Sequence, residues 1–213
     1  MTRIAAADRR AALVQAALQV VAERGVAAAT TRAIVAQAGM SLASFHYAFT
    51  SRDELMAQLI STALEQEELT LAAAFAPDFE PETMRDAIRA GLEQYFVGVK
   101  ADPQREKAMF ELTHYAMRTP GMAQLARQQY RRYYALAGTA LEVASRKSGQ
   151  RWNRPVSEIA TLLVVLTDGL TIGWLVNRDD AAAATIMDFA ADAVARLVDE
   201  TKNTVSPERT RSP

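Results

Sequence analysis

The chain of 213 residues carries two histidines, His46 and His114, and no cysteine. Without thiols there is no disulfide, no thiolate metal site and no cysteine nucleophile. The histidines fall in separate segments, no His-x-x-x-His pair offers a zinc-binding helix, and no glycine-rich loop could cradle a phosphate. Nothing in the spacing of serines and aspartates marks a hydrolytic triad. We therefore expect no enzymatic activity, no metal and no cofactor. The side chains that do suggest chemistry are cations near the start. Arg3, Arg9, Arg10, Arg24, Arg32 and Arg52 stand against Asp8 and Glu23, so residues 1–52 carry +4 on a chain whose total is −1. A basic end on a mildly acidic chain is the footprint of a protein that meets a polyanion with that end alone.

The elements that must position these cations are helices. An amphipathic helix over 8–24 puts Leu13, Ala16, Ala17, Val20 and Val21 on one side. A second, over 31–38, buries Ile34, Val35 and Ala38, and a third spans 42–48. Between the last two lies Gly39-Met40-Ser41: Gly39 can turn left-handed, Ser41 can cap the third helix, and Met40 can plug the angle. Two short helices joined by a glycine-containing turn form a helix-turn-helix. The first residues of its second helix, Leu42, Ala43 and Ser44, would face base edges in the major groove. Leu42 and Ala43 can touch a thymine methyl, and Ser44 can bond to several bases. Phe45 and Phe49 would face inward.

The run from Thr30 to Leu55, TTRAIVAQAGMSLASFHYAFTSRDEL, resembles the signature of the TetR family of transcriptional regulators, without a gap. That resemblance implies a nine-helix all-α architecture, an operator of double-stranded DNA, a small-molecule effector and a homodimer. It also implies roles. Thr31 would bond a phosphate at a helix N-terminus. Arg32 and Ser44 would reach bases, Tyr47 would bond or stack against phosphate, and Arg52, where the family usually has Lys, would pair with phosphate. Ala43, His46 and Ala48 depart from the usual residues, and His46 offers a shorter, titratable donor. The function implied is a repressor released from a palindromic operator by a mainly apolar effector. An activator, or a ligand-binding or scaffold protein of the same fold that no longer reads DNA, stays open as the alternative.

Helical periodicity continues to the end, so the spacing predicts an all-α protein with further helices over 52–75, 81–100, 103–118, 120–147, 155–177 and 180–201. Asp102-Pro103 and Thr119-Pro120 read as an N-cap followed by proline at N1. Glu80-Pro81 and Arg154-Pro155 also fit helix starts, while Gly25, Gly39 and Gly149 end helical patterns. Set against these helices, the resemblance implies a DNA-binding domain over 1–52 and a ligand-binding and dimerisation domain over 53–202, and the composition of 203–213 reads as a polar, disordered tail. Met84, Phe96, Phe110, His114, Met117, Tyr134 and Trp174 are the candidate effector-lining residues, with His114 as polar anchor. The same stripes would also serve as plain core. Arg127 and Arg131 read as a solvated row.

Ile159 to Val176 is long and apolar enough to suggest a membrane span, but Asp168 sits mid-way, at a cost of at least ~2.5 kcal/mol in a bilayer. We read a core helix and no membrane. A helix apolar on every side needs cover on every side, which a second copy would supply through 155–177 and 180–201. The start shows no secretory signal, so a cytoplasmic location is expected. Helix four would link the two jobs, from Arg52 at its start to Leu71 and Phe75 at its far end, and effector binding would tilt it.

Overall fold

Capping side chains set the first elements. Thr30 accepts from Ala33 N and opens α2 (Thr31–Gln37), and Ser41 accepts from Ser44 N and opens α3 (Leu42–Ala48). Gly39 between them lies at φ 63°, the left-handed turn that a Cβ would strain. Before them come α1 (Ala6–Arg24) and a 3₁₀ turn (Val26–Ala28); after them comes α4 (Arg52–Ala73). The computed structural model describes residues 6–73 and 80–199, the side chains of 6 and 63–73 excepted. The side chain of Leu71 near the far end of the fourth helix, the residue Phe75 and the tail over 203–213 lie outside what is described.

The body consists of α5 (Met84–Ala101), α6 (Pro103–Arg118), α7 (Ala123–Ser148), α8 (Val156–Asn177) and α9 (Asp180–Ala195). Asp102 caps α6 with Pro103 at N1, and Gly149 ends α7 at φ 67°. Three boundaries differ from the sequence reading. Thr119 closes α6 instead of opening the next helix: its N–H and its hydroxyl both donate to Tyr115 O. Pro120 and Gly121 form a turn, and α7 starts at Ala123. Thr83, not Glu80, caps α5. The last helix stops at Ala195, short of 201. There the chain tightens into i→i−3 bonds and pairs with 151–153: Asn153 N donates to Leu197 O and Asp199 N to Arg151 O. Trp152 and Val198 face each other in a single antiparallel bridge, and the Trp152 indole N–H donates to Leu141 O.

Two apolar cores result. The first joins α1–α4 through Leu13, Val20, Ile34, Phe45, Phe49 and Leu59, and also takes in Leu112 and Ala116 of α6. Helices α1–α4 are therefore packed onto the body through α6. Phe45 and Phe49 touch at 5.7 Å between ring centroids, and the Arg10 guanidinium covers the Phe49 ring at 4.1 Å. Cutting either ring back to alanine would cost about 3–5 kcal/mol. The second core holds α5, α7, α8 and α9 together around Phe96, Leu141, Ile159, Trp174 and Met187. Along the exposed α5–α9 seam, Arg85 pairs with Asp192 and Arg89 with Asp188, giving register more than stability.

By length and composition α8 could cross a membrane. It packs instead between α7 and α9, with Ile159, Leu163, Leu170 and Trp174 buried. Its opposite face is a bare apolar stripe of Leu162, Val165, Ile172 and Val176.

Candidate functional site

The helix-turn-helix presents a polar, open surface. Arg32, Leu42, Ala43, His46 and Tyr47 are exposed on α2 and α3, with Tyr47 83% exposed, while Thr31 and Ser44 are half-buried. The Ser44 hydroxyl lies 3.0 Å from that of Ser41, so the cap fixes its direction. The His46 ring meets Phe45 edge-on at 5.7 Å, and the residue as a whole is exposed. Beneath this surface, Arg10 donates to Ala48 O (2.6 Å) and to Glu54 (2.8 Å), pinning the end of α3 to α1 and α4. Glu54 also accepts from Thr50 N and Oγ1. The Thr50 bonds first, and the Arg10 guanidinium with them, hold its carboxyl down to about 2.

Arg52 is turned the other way. Its guanidinium donates to Ala29 O (2.7 Å), Val26 O (2.7 Å) and the Tyr115 hydroxyl (2.8 Å), and lies over the Tyr115 ring. A motif position fixes where a residue sits on a helix, not where its side chain goes. Here the Ala29 carbonyl, and the Val26 carbonyl that also accepts from Ala29 N, draw the guanidinium inward. Arg52 is a clamp between the DNA-binding helices and α6 in this structure, in place of the expected phosphate contact. Beside it, Val26 N donates to Glu111 Oε2 at 2.7 Å.

Inside the body lies a cavity of about 590 Å³ between α5, α6, α7 and α8. Of the seven expected lining residues, only Phe110 lines it. Met84 and Phe96 are core, the latter edge-on to Trp174 at 5.5 Å; the Trp174 indole N–H donates to Asp180. His114 and Met117 are exposed on the outer side of α6, His114 beside the Arg52 clamp. Tyr134 stacks edge-on against Tyr130 but does not reach the cavity. Large apolar side chains at helical spacing fill space. The cavity exists where α5 and α7 face each other with small ones: Ala87, Ala90 and Gly91 against Ala137, Ala140 and Ala144. That run of small residues is the signal in the sequence that could have located it.

Around this space stand Tyr95, Phe110, Tyr130 and Tyr133. The Tyr130 hydroxyl donates to Asp168 Oδ2 at 2.8 Å, and burial pushes the carboxyl of Asp168 and the hydroxyl of Tyr130 up. Tyr95 and Thr171 share a hydrogen bond of 2.6 Å. The buried Gln129 meets the Thr113 hydroxyl through Oε1 and donates to Tyr133 through Nε2. These are few, convergent polar groups in an apolar wall, the pattern of a small-molecule site. One helix serves both regions: α6 turns Met109, Phe110 and Thr113 to the cavity, and Glu111 and Tyr115 to the DNA-binding helices.

Known families match both halves of the chain. Residues 13–59 match the family described as bacterial regulatory proteins, tetR family, and residues 81–199 match the C-terminal domain of BetI-type transcriptional repressors. The chain is 28% identical over 191 residues to the HTH-type nicotine-responsive transcriptional repressor HdnoR of Paenarthrobacter nicotinovorans, covering 90% of this chain and 96% of that one. Among solved structures it resembles a transcriptional regulator from Rhodococcus sp. Rha1 (TM-score 0.71, 19% identity, covering 93% and 99% of the two chains). It also resembles a putative transcriptional regulator from Saccharomonospora viridis in complex with choline (TM-score 0.70, 18% identity, 90% and 98%).

Proposed function

Because this chain belongs to the TetR family and is a DNA-binding transcriptional regulator, we propose that it is a repressor released from a near-palindromic operator when a mainly apolar small molecule enters the α5–α8 cavity. Members of the family act as dimers on DNA and are not enzymes. For this chain we place the dimer interface on α8 and α9. The bare stripe of Leu162, Val165, Ile172 and Val176, joined by the exposed Phe189 of α9, supports that reading, since a second copy would cover it in a four-helix contact. The two recognition helices would then sit about 34–36 Å apart, one turn of DNA, or a multiple of it. The division of labour is functional, with DNA contact in residues 1–52 and ligand and partner in 53–202. Its place of work is the cytoplasm.

Thr31, Arg32, Leu42, Ala43, Ser44, His46 and Tyr47 form the DNA-contacting set, phosphate contacts setting affinity and base contacts setting sequence. The observation that carries the regulatory part is the double duty of α6. An occupant pressing on Phe110 and Met109 would move Glu111 and Tyr115, and with them the 3₁₀ turn and the start of α4. The nicotine response of the 28%-identical relative supports a small organic trigger. Selection of bound fragments from a random DNA library tests the proposal. A near-palindrome with half-sites about one helical turn apart is the expected product, and a library recovered without any shared sequence would overturn it.

A further inference from the structure

We propose that the effector is an organic ammonium ion, its positive charge held by the Asp168 carboxylate beside the ring of Tyr130 and its apolar body lying along the cavity. This rests on the reading of the cavity as the effector site and names the charge of what enters.

Asp168 is an acid in the middle of the long apolar stretch of α8, half-buried in the cavity wall. A carboxylate in such a place is ordinarily balanced by an arginine or lysine, because an unpaired charge out of water costs several kcal/mol by the usual order of magnitude. Here its one hydrogen-bond donor among the described residues is the Tyr130 phenol, which brings no charge. Two other charged residues line the cavity. Glu106 is a second acid. Lys147 is on the same helix as Tyr130 but seventeen residues further on, roughly 25 Å along the axis. The Asp168 end therefore lacks a cation that an entering ligand could supply. Its surroundings suit one: Tyr130 and Tyr133 meet edge-on at 5.6 Å, and aromatic faces beside a carboxylate attract an ammonium group strongly once water is excluded. Burial raising the Asp168 carboxyl points the same way, since an uncompensated acid gains most from an incoming positive charge. An anionic ligand at this end would meet the Asp168 carboxylate, and a neutral one would leave Asp168 unbalanced.

Titration calorimetry of the full chain at pH 7 with three probes of one skeleton tests this: phenylbutylamine, phenylbutanol and phenylbutyrate. The ammonium is expected to bind about tenfold or more tighter than the alcohol, with the carboxylate weakest. Asp168→Asn is expected to abolish that preference while keeping the affinity for the alcohol. Glu106→Gln, which removes the other acid, is expected to keep the preference. The proposal is overturned if wild-type protein binds the alcohol or the carboxylate as tightly as the amine, or does not bind the amine at millimolar concentration. It is overturned equally if the preference survives Asp168→Asn or disappears in Glu106→Gln. The ranking on wild-type protein decides even where Asp168→Asn does not fold. Operator binding is a separate readout: a protein that grips its operator yet shows no amine preference remains a repressor with a different effector.

Discussion

The Tyr115 hydroxyl accepts from Arg52 Nη1 at 2.8 Å and donates to Asp53 at 2.7 Å, so one phenol on α6 holds both residues that begin α4. Burial, together with the bond to Asp53, pushes that hydroxyl up, so it stays protonated throughout the working range. The DNA-binding helices are thereby tied to the helix that lines the cavity.

Arg52→Ala should destabilise the protein by about 2 kcal/mol, because it removes three hydrogen bonds at once and leaves the Ala29 carbonyl without its donor. Urea unfolding measures the loss. The salt slope of DNA binding separates clamp from phosphate contact. A clamp leaves the slope of log K against log [salt] unchanged, whereas losing a phosphate contact reduces it by about one.

Tyr115→Phe keeps the ring and removes the two bonds. Effector affinity of the DNA-free protein should stay as it is, while the coupling between effector and operator, about 1–3 kcal/mol in such systems, shrinks. Parallel titrations with and without operator DNA give the coupling directly, and an unchanged coupling would rule out the α6 route.

Glu54 gives a pH signature. Its carboxyl is held down to about 2 from the usual 4.5, chiefly by Thr50 and then by Arg10. A depressed acid stabilises the folded form above 4.5, and that contribution fades as pH falls from there toward about 2. Glu54→Gln should therefore flatten the acid side of the stability profile in that window. Thermal melts at stepped pH would show it.

Ala140→Phe should fill part of the cavity. A large side chain placed in empty space costs little, unlike one forced into a packed core. The melting temperature should stay near that of wild type, with operator binding retained and effector release lost.

Val165→Glu places a charge on the bare α8 stripe, where Val165 is 60% exposed in the single chain. The monomer should fold as before, while light scattering should report half the mass and operator affinity should fall steeply. A dimer of unchanged mass would move the interface elsewhere.

Local chemistry made much of this legible in the sequence. Thr30, Ser41 and Asp102 cap the helices they precede because a short polar side chain reaches only the next turn. Gly39 and Gly149 turn left-handed where a helix pattern ends. The cavity was not legible, because it depends on which helices face each other and on what is missing between them. Met84, Phe96 and Trp174 satisfied the apolar pattern by filling the core, while Ala137, Ala140 and Gly91 left the space. Asp168 stands out in the sequence as an acid within an apolar run, but its partner Tyr130 is 38 residues away and only the fold joins them. Arg52 shows the same limit in reverse: the motif located it, and tertiary acceptors decided its direction.

Fluorescence anisotropy on DNA from upstream of the protein's own gene, at several salt concentrations and beside a scrambled duplex, tests the central claim most directly. The account predicts tight binding to the upstream DNA over the scrambled one, weakened by Ser44→Ala and by Arg32→Ala. Weak binding, equal on both duplexes and indifferent to Ser44→Ala, would contradict it.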